Sequence, residues 1–350
     1  MKKIIRYATA CAAVLSSALF VSCNSVNTPT TLAFAGDLQT LYGGDGGYPQ
    51  AVLVAKNSIL EEDEGAVGTL LSYFEGSKDY LDSADGAVVA NLLQDKYPSG
   101  FKPSFNANNL TREVIRNCSV RFTKSADCKD TVNAFLAKLV SVDPEFTKIA
   151  EDSFYYTGTP AAADSSNSYT VYAPDGAPAL SLANAIQNST GNLFEYHIVA
   201  GTAIAAQVTG QNEESNADFC ILPVNAAAKL LGNGQRYQML GTVTNGNMYF
   251  LGAGEQASLT SENLASALKG KTVGVVQLAN VPGLTFRCVL KEKNIPYEIL
   301  GNGNKAEDPE KVYLKAIANP ASEITPAGGC DYYLCAEPVA SAKVSAFRNK

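Results

Sequence analysis

The chain has no tryptophan, one histidine and three methionines in 350 residues. With His197 alone and no cysteines in CxxC spacing, the usual donors of a zinc site are too few. The same scarcity removes the ordinary general base. His197 lies in the strand-like run EYHIVA without a placed Ser or Cys, and reads as a core or sheet-edge residue. A net charge of −7 with no dense Lys/Arg block argues against a nucleic-acid partner. Any stacking on a ligand has to come from Tyr and Phe. GGDGG at 43–47 is followed by no Gly-Lys-Ser/Thr and no helical pattern, so it reads as a surface turn and not a phosphate loop. No constellation for hydrolysis, phosphoryl transfer or hydride transfer remains. The expectation is a protein without catalytic turnover, metal or cofactor.

What is present begins with an address. MKKIIRYATACAAVLSSALFVSCNS has a basic start (Lys2, Lys3, Arg6), an apolar run and a small-residue site before Cys23, the pattern of an export signal. Its apolar centre is too short and too rich in Ser and Ala for a membrane span. Phe20-Val21-Ser22-Cys23 resembles a bacterial lipobox, with Phe20 in place of the usual Leu. The resemblance implies a lipoprotein signal over 1–23, a membrane anchor at lipidated Cys23 and a polar tether over 24–30. Cleavage near Ser22 by ordinary signal peptidase would instead leave Cys23 a spare thiol. Cys118, Cys128, Cys220, Cys288, Cys330 and Cys335 leave disulfide pairing open, since Cys220 and Cys335 sit in apolar runs typical of buried thiols.

The remaining length, roughly 320 residues, is ample for two lobes. Its organising stretch is 169–230, where a short β-branched and aromatic run three times meets a small-residue turn and an Ala/Leu-rich helical pattern. This is the grammar of a parallel α/β sheet. Gly176 and Ala177, Gly201 and Thr202, and Val224 and Asn225 occupy the turns, where small residues leave backbone N–H groups open to a ligand. Residues 31–56 read as strand, glycine-rich loop and strand, and 58–140 as mainly helical. Strands are expected at 237–244 and 247–252, broken by Asn245-Gly246-Asn247, a sharp turn or crossover. A helix over 259–268, a strand-turn-helix unit over 272–290, a helix over 308–317 and a final strand, Glu337-Pro338 turn and helix complete the chain. The small, polar stretch 158–168 is the clearest break in composition.

VYAPDGAPAL, ADFCILPVNAAAKL, LKGKTVGVVQLANVPGLTFRCVL and YYLCAEPVASA resemble successive landmarks of the extracytoplasmic solute-binding proteins of ABC importers, in the branch of nitrate, sulfonate, taurine and thiamine-precursor binders. GGYPQAVLVAKNSILEE, NCSVRFTK and EDSFYY resemble later landmarks of the same branch. The order differs. Here the later landmarks precede the earlier ones, as in a circularly permuted chain whose old ends are bridged at 157–168. The resemblance implies an α/β, two-lobed, type II periplasmic-binding-protein-like fold. Residues 58–156 and 169–246 would form the first lobe, and 31–57 and 247–350 the second. It also implies an interlobe cleft closed by hinge motion and delivery to ABC permease subunits. The protein would be a monomer outside the cytoplasm, lipid-anchored at the cell surface or in the periplasm. A ligand-sensing or scaffold lipoprotein is the alternative.

From the second lobe the resemblance adds Gln277, Asn280 and Thr285 around the fourth βα turn and Glu337 with Pro338 at the fifth. Tyr48 and Gln50 would cover the ligand. Asn225 can both donate and accept. Each has a plain alternative: Gly176 a tight turn, Thr202 a helix cap, Glu337 a helix-start acid. Backbone-rich loops suit an anion such as sulfonate or nitrate, tyrosines an aromatic heterocycle, and Arg236 or Arg287 would supply counter-charge.

Overall fold

The computed structural model describes residues 29–43, 46–210, 217–301 and 306–348. The export signal, Cys23 and most of the tether lie outside the described residues. In chain order the elements are β1 (Leu32–Asp37), α1 (Leu38–Gly43), β2 (Ala51–Lys56), α2 (Asn57–Glu62), α3 (Glu64–Glu75), α4 (Ser77–Ser83), α5 (Gly86–Gln94), α6 (Arg112–Asn117), β3 (Val120–Lys124) and α7 (Ser125–Val142). After a 3-10 turn at Asp152–Phe154 come β4 (Tyr169–Pro174), α8 (Ala177–Leu180), α9 (Ala183–Asn188), β5 (Phe194–Val199), α10 (Ala206–Thr209), β6 (Phe219–Pro223), α11 (Val224–Leu231) and β7 (Tyr237–Thr244). The chain ends with β8 (Met248–Ala253), α12 (Leu264–Leu268), β9 (Thr272–Val276), α13 (Val281–Glu292), β10 (Tyr297–Ile299), β11 (Val312–Ile317), α14 (Pro320–Glu323), β12 (Tyr332–Ala336) and α15 (Val339–Ala346).

The fold is α/β with two mixed six-stranded sheets, ordered β5-β4-β6-β2-β7-β3 and β10-β11-β9-β12-β8-β1. In the first sheet β5, β4 and β6 are parallel, and β2 runs antiparallel between β6 and β7. In the second, β11, β9 and β12 are parallel, and β8 runs antiparallel between β12 and β1. The sheets thus share a five-strand frame. In both, the antiparallel strand has just arrived from the other sheet, β2 after β1 and α1, β8 after β7. Each sheet with its helices is called a lobe below.

Two expectations are corrected. The run AVLVA at β2 is not part of the second lobe; it pairs with β6 and β7, and the lobe boundary moves from 57 to the crossover before Ala51. Its uniform burial explains its unbroken apolar sequence. The expected helix over 308–317 is strand β11, parallel to β9 and β10. Val312, Tyr313 and Leu314 are consecutively buried, as in a strand covered on both faces, and short apolar runs do not distinguish the two states by period. The glycine-rich loop also contains α1, and the helix expected from 259 begins only at Leu264.

Apolar packing couples the lobes. One cluster includes Phe74, Leu180 and Phe219 of the first lobe, and another Leu251, Tyr333 and Cys335 of the second. A third is continuous across both, with Phe135 and Leu139 of α7 and Phe286 and Leu290 of α13. Arg287 on α13 reinforces it, donating to Asp143 Oδ2 at 2.9 Å and to the Val142 carbonyl at 2.8 Å. All six cysteines beyond the signal are free and buried.

The linker at 158–168 is docked along α3. A Cβ on Gly68 would lie 2.4 Å from the Ala161 carbonyl carbon, so the close approach requires glycine. Asp63, the N-cap of α3, accepts from Ala66 N at 3.0 Å, Tyr169 Oη at 2.8 Å, Asn167 Nδ2 at 3.1 Å and Ser165 Oγ. Burial works to raise the Asp63 carboxyl, but the hydrogen bonds from Ser165, Ala66, Tyr169 and Asn167 outweigh it and hold the pKa below the usual 3.8. A lowered folded-state pKa stabilises above the unfolded value, and that contribution fades as pH falls through 3.8 toward the folded one. Asp63→Ala is therefore expected to cost about 1–2 kcal/mol at neutral pH in urea unfolding. The gap to wild type should narrow on acidification; a constant gap would refute the assignment.

Candidate functional site: the interlobe cleft

The parallel strands of both lobes end at one cavity of about 290 Å³. The carboxyl ends of β4 and β6 and the amino end of β2 face it from the first lobe; those of β9 and β12 and the amino end of β8 face it from the second. This is where open α/β sheets place ligands.

Local chemistry shapes each wall. Gly176 has φ 103° and ψ −154°, a region open to glycine alone, and a Cβ there would meet nothing within 4 Å. The β4 turn therefore presents backbone, not a side chain, to the cavity. Opposite it, Gln277 leaves β9 with φ 56°. The turn 277–280 folds back onto the first turn of α13 because position 283 is glycine; a Cβ there would lie 2.1 Å from the Leu278 carbonyl oxygen. Asn280 is the N-cap of α13 but makes no side-chain cap bond. The two crossovers run side by side, Gln50 N donating to Thr244 O at 3.0 Å and Gln50 Nε2 to Asn247 Oδ1 at 2.8 Å. Gln50 Oε1 is buried and has no partner among the described residues.

Both acids at the cleft are held by neutral donors. Asp175 accepts from Tyr97 Oη at 2.9 Å and from Ser104 N and Oγ at 3.1 and 2.5 Å, pinning the 97–104 loop over the β4 turn. Burial first, and then the Asp175 charge, push the Tyr97 phenol above its ordinary value. Glu337 accepts from Ser341 N at 3.0 Å and Ser341 Oγ at 2.7 Å, as a helix-start acid does, and across the lobes from Asn117 Nδ2 at 2.8 Å.

Of the residues singled out from sequence, the cavity gathers Gly176, Ala177, Gly201, Gln277, Asn280, Glu337 and Gln50. Thr202 is exposed beside it, and Val224 is buried in the core. Asn225 is turned away, donating to the Phe146 carbonyl at 3.1 Å. Thr285 lies a full turn inside α13, bonded to the Val281 carbonyl at 2.7 Å. Tyr48 is buried and stacked on Phe135 at 5.6 Å. Arg287 is spent on Asp143, and Arg236 on the Gly210 carbonyl at 3.3 Å, so neither supplies cleft counter-charge. His197 lies on the edge strand β5, half-buried and stacked on Tyr172 at 4.6 Å, outside the cavity. Sequence reasoning missed Asp175, although it stands inside APDGAP. It took Asn247 only as a turn residue, and Ser104 comes from a loop without periodicity.

No family model matches the chain, and neither a curated protein nor a solved structure does. The assignment of a site therefore rests on this geometry. A larger cavity of about 660 Å³ adjoins the crossovers through Gly47 and Asn245, but it lies between flanks of α4 and α6, with the exposed pair Lys78 and Asp82, and the ends of the antiparallel strands β1 and β3, not at the carboxyl ends of parallel strands.

Proposed function

We propose that the chain is the extracytoplasmic solute-binding component of an ABC importer, lipid-anchored through Cys23, with a type II periplasmic-binding-protein-like fold in circularly permuted order. The observation that carries the reading is the convergence of two sheets of shared strand order on one cavity, joined by two adjacent crossovers. Such a pair of short connections is suited to a hinge. No helix among the described residues is long and apolar enough to cross a membrane. The proposed attachment is the lipid on Cys23.

The permutation is supported by comparing the lobes. In the first, β6 continues through α11 to β7. In the second, β12 continues through α15, the chain ends, and the strand equivalent to β7 is β1. Leu32 N of β1 donates to the Phe347 carbonyl just beyond α15 at 3.2 Å, so the break is nearly closed in space. A chain reordered to run from 168 through a short bridge at the present termini to 156 is expected to fold and bind as the native one does.

The direct test is native mass spectrometry of residues 24–350, before and after mild denaturation and refolding. A discrete copurified small molecule that is lost on denaturation is the expected result. A ligand-free mass, followed by a solute screen without a thermal shift, would overturn the reading.

A further inference from the structure

The chemistry of the cleft narrows the class of solute, an inference that rests on the solute-binding reading. Its lining contains no Lys, Arg or His and no aromatic ring among the described residues. Asp175 and Glu337 are the charged groups, and every hydrogen bond described to either carboxylate comes from a neutral donor. An anion entering here meets like charge and no side-chain cation. A flat heterocycle finds no ring to stack on; Pro174, Pro178, Pro223, Pro282 and Pro338 supply much of the apolar wall instead. Among the described residues, one buried side-chain acceptor of the lining has no partner. With Gln50 Nε2 committed to Asn247, Gln50 Oε1 is buried and unbonded on a residue that lines the cavity. Buried acceptors are rarely left so without a bound partner. The volume lies at the small end of ligand pockets.

We infer that the solute is a small molecule without net negative charge that donates an N–H or O–H hydrogen bond to Gln50 Oε1, such as an amine, amide or polyol. The sulfonate, nitrate and stacked-heterocycle classes do not fit this lining.

The test is calorimetric titration of residues 24–350 with ethanolamine, acetamide and erythritol as donor probes, and nitrate, sulfate and methanesulfonate as anions. The molecule found by native mass spectrometry is identified in parallel. The expected result is a donor-bearing, uncharged or cationic occupant, with binding weakened about tenfold or more by Gln50→Leu. For an amine, Gln50→Glu is expected to keep or tighten binding while the fold is unchanged by circular dichroism. Binding of the anions, or an anionic copurified molecule, would overturn the class and leave the solute-binding reading standing. Donor binding indifferent to Gln50→Leu would overturn the role of Gln50. No copurified molecule and no probe binding would overturn both.

Discussion

Gly283→Val is expected to weaken solute capture by the cleft about 100-fold while leaving the first lobe folded. A Cβ at 283 would lie 2.1 Å from the Leu278 oxygen and 2.4 Å from its Cα, and both are backbone atoms that cannot rotate away. Two relaxations are open. Either α13 shifts against its buried packing, costing about 1–3 kcal/mol or more, or the turn 277–280 swings off the helix and takes Gln277 and Asn280 out of the cavity. The second is easier, because α13 is buried from Val281 to Leu290 whereas Gln277, Ala279 and Asn280 are exposed. Affinity for the molecule recovered with the native protein is expected to fall about 100-fold, which is roughly 2.7 kcal/mol. Hydrogen exchange should report loosening confined to 277–284. Native affinity in Gly283→Val would mean that this turn is not part of the site.

What the sequence revealed and what it hid divide along a physical line. Strands β4, β6, β9 and β12 were legible because each is a short apolar run ending in a Gly- or Pro-marked turn before an Ala- or Leu-rich helix, and both halves of that signal are local. The cap of α6 is equally local: the Thr111 hydroxyl accepts from Val114 N, three residues on, at 3.2 Å. Strand β11 was misread because VYLKAI carries no period of its own; its state is decided by β9 and β10 on either side. The same holds for β2, whose lobe is fixed by partners far along the chain, Phe219 to Pro223 and Tyr237 to Thr244. Side-chain direction was the least accessible. Asn225 and Thr285 have suitable chemistry in suitable turns, yet one faces Phe146 and the other its own helix. The docked linker reads from composition only as a break in the chain, and only the glycines of α3, a separate segment, show that it has a seat.

Phe135→Ala is expected to have the largest effect on stability, and its consequences test whether the lobes are thermodynamically one unit. Phe135 is 1 % exposed and lies under the first crossover, with Tyr48 stacked on it at 5.6 Å and Tyr42 meeting it edge-on at 5.3 Å. Deleting a ring so enclosed costs about 3–5 kcal/mol, because the surroundings only partly collapse. The affected neighbours span the molecule: α7 belongs with the first lobe, Tyr42 comes from α1 beside the second, and α7 packs along α13. If that shared core couples the lobes, hydrogen-exchange protection should fall in β9 and β12 as well as in β4 and β6. Thermal unfolding should then remain a single transition at lower temperature. If the lobes are independent, protection in β9 and β12 should be unchanged and a second transition should appear. The coupled outcome has a functional corollary. A hinge at the crossovers would turn against the contact between α7 and α13, so the Arg287 bonds to Asp143 and Val142 would set how far the cleft opens.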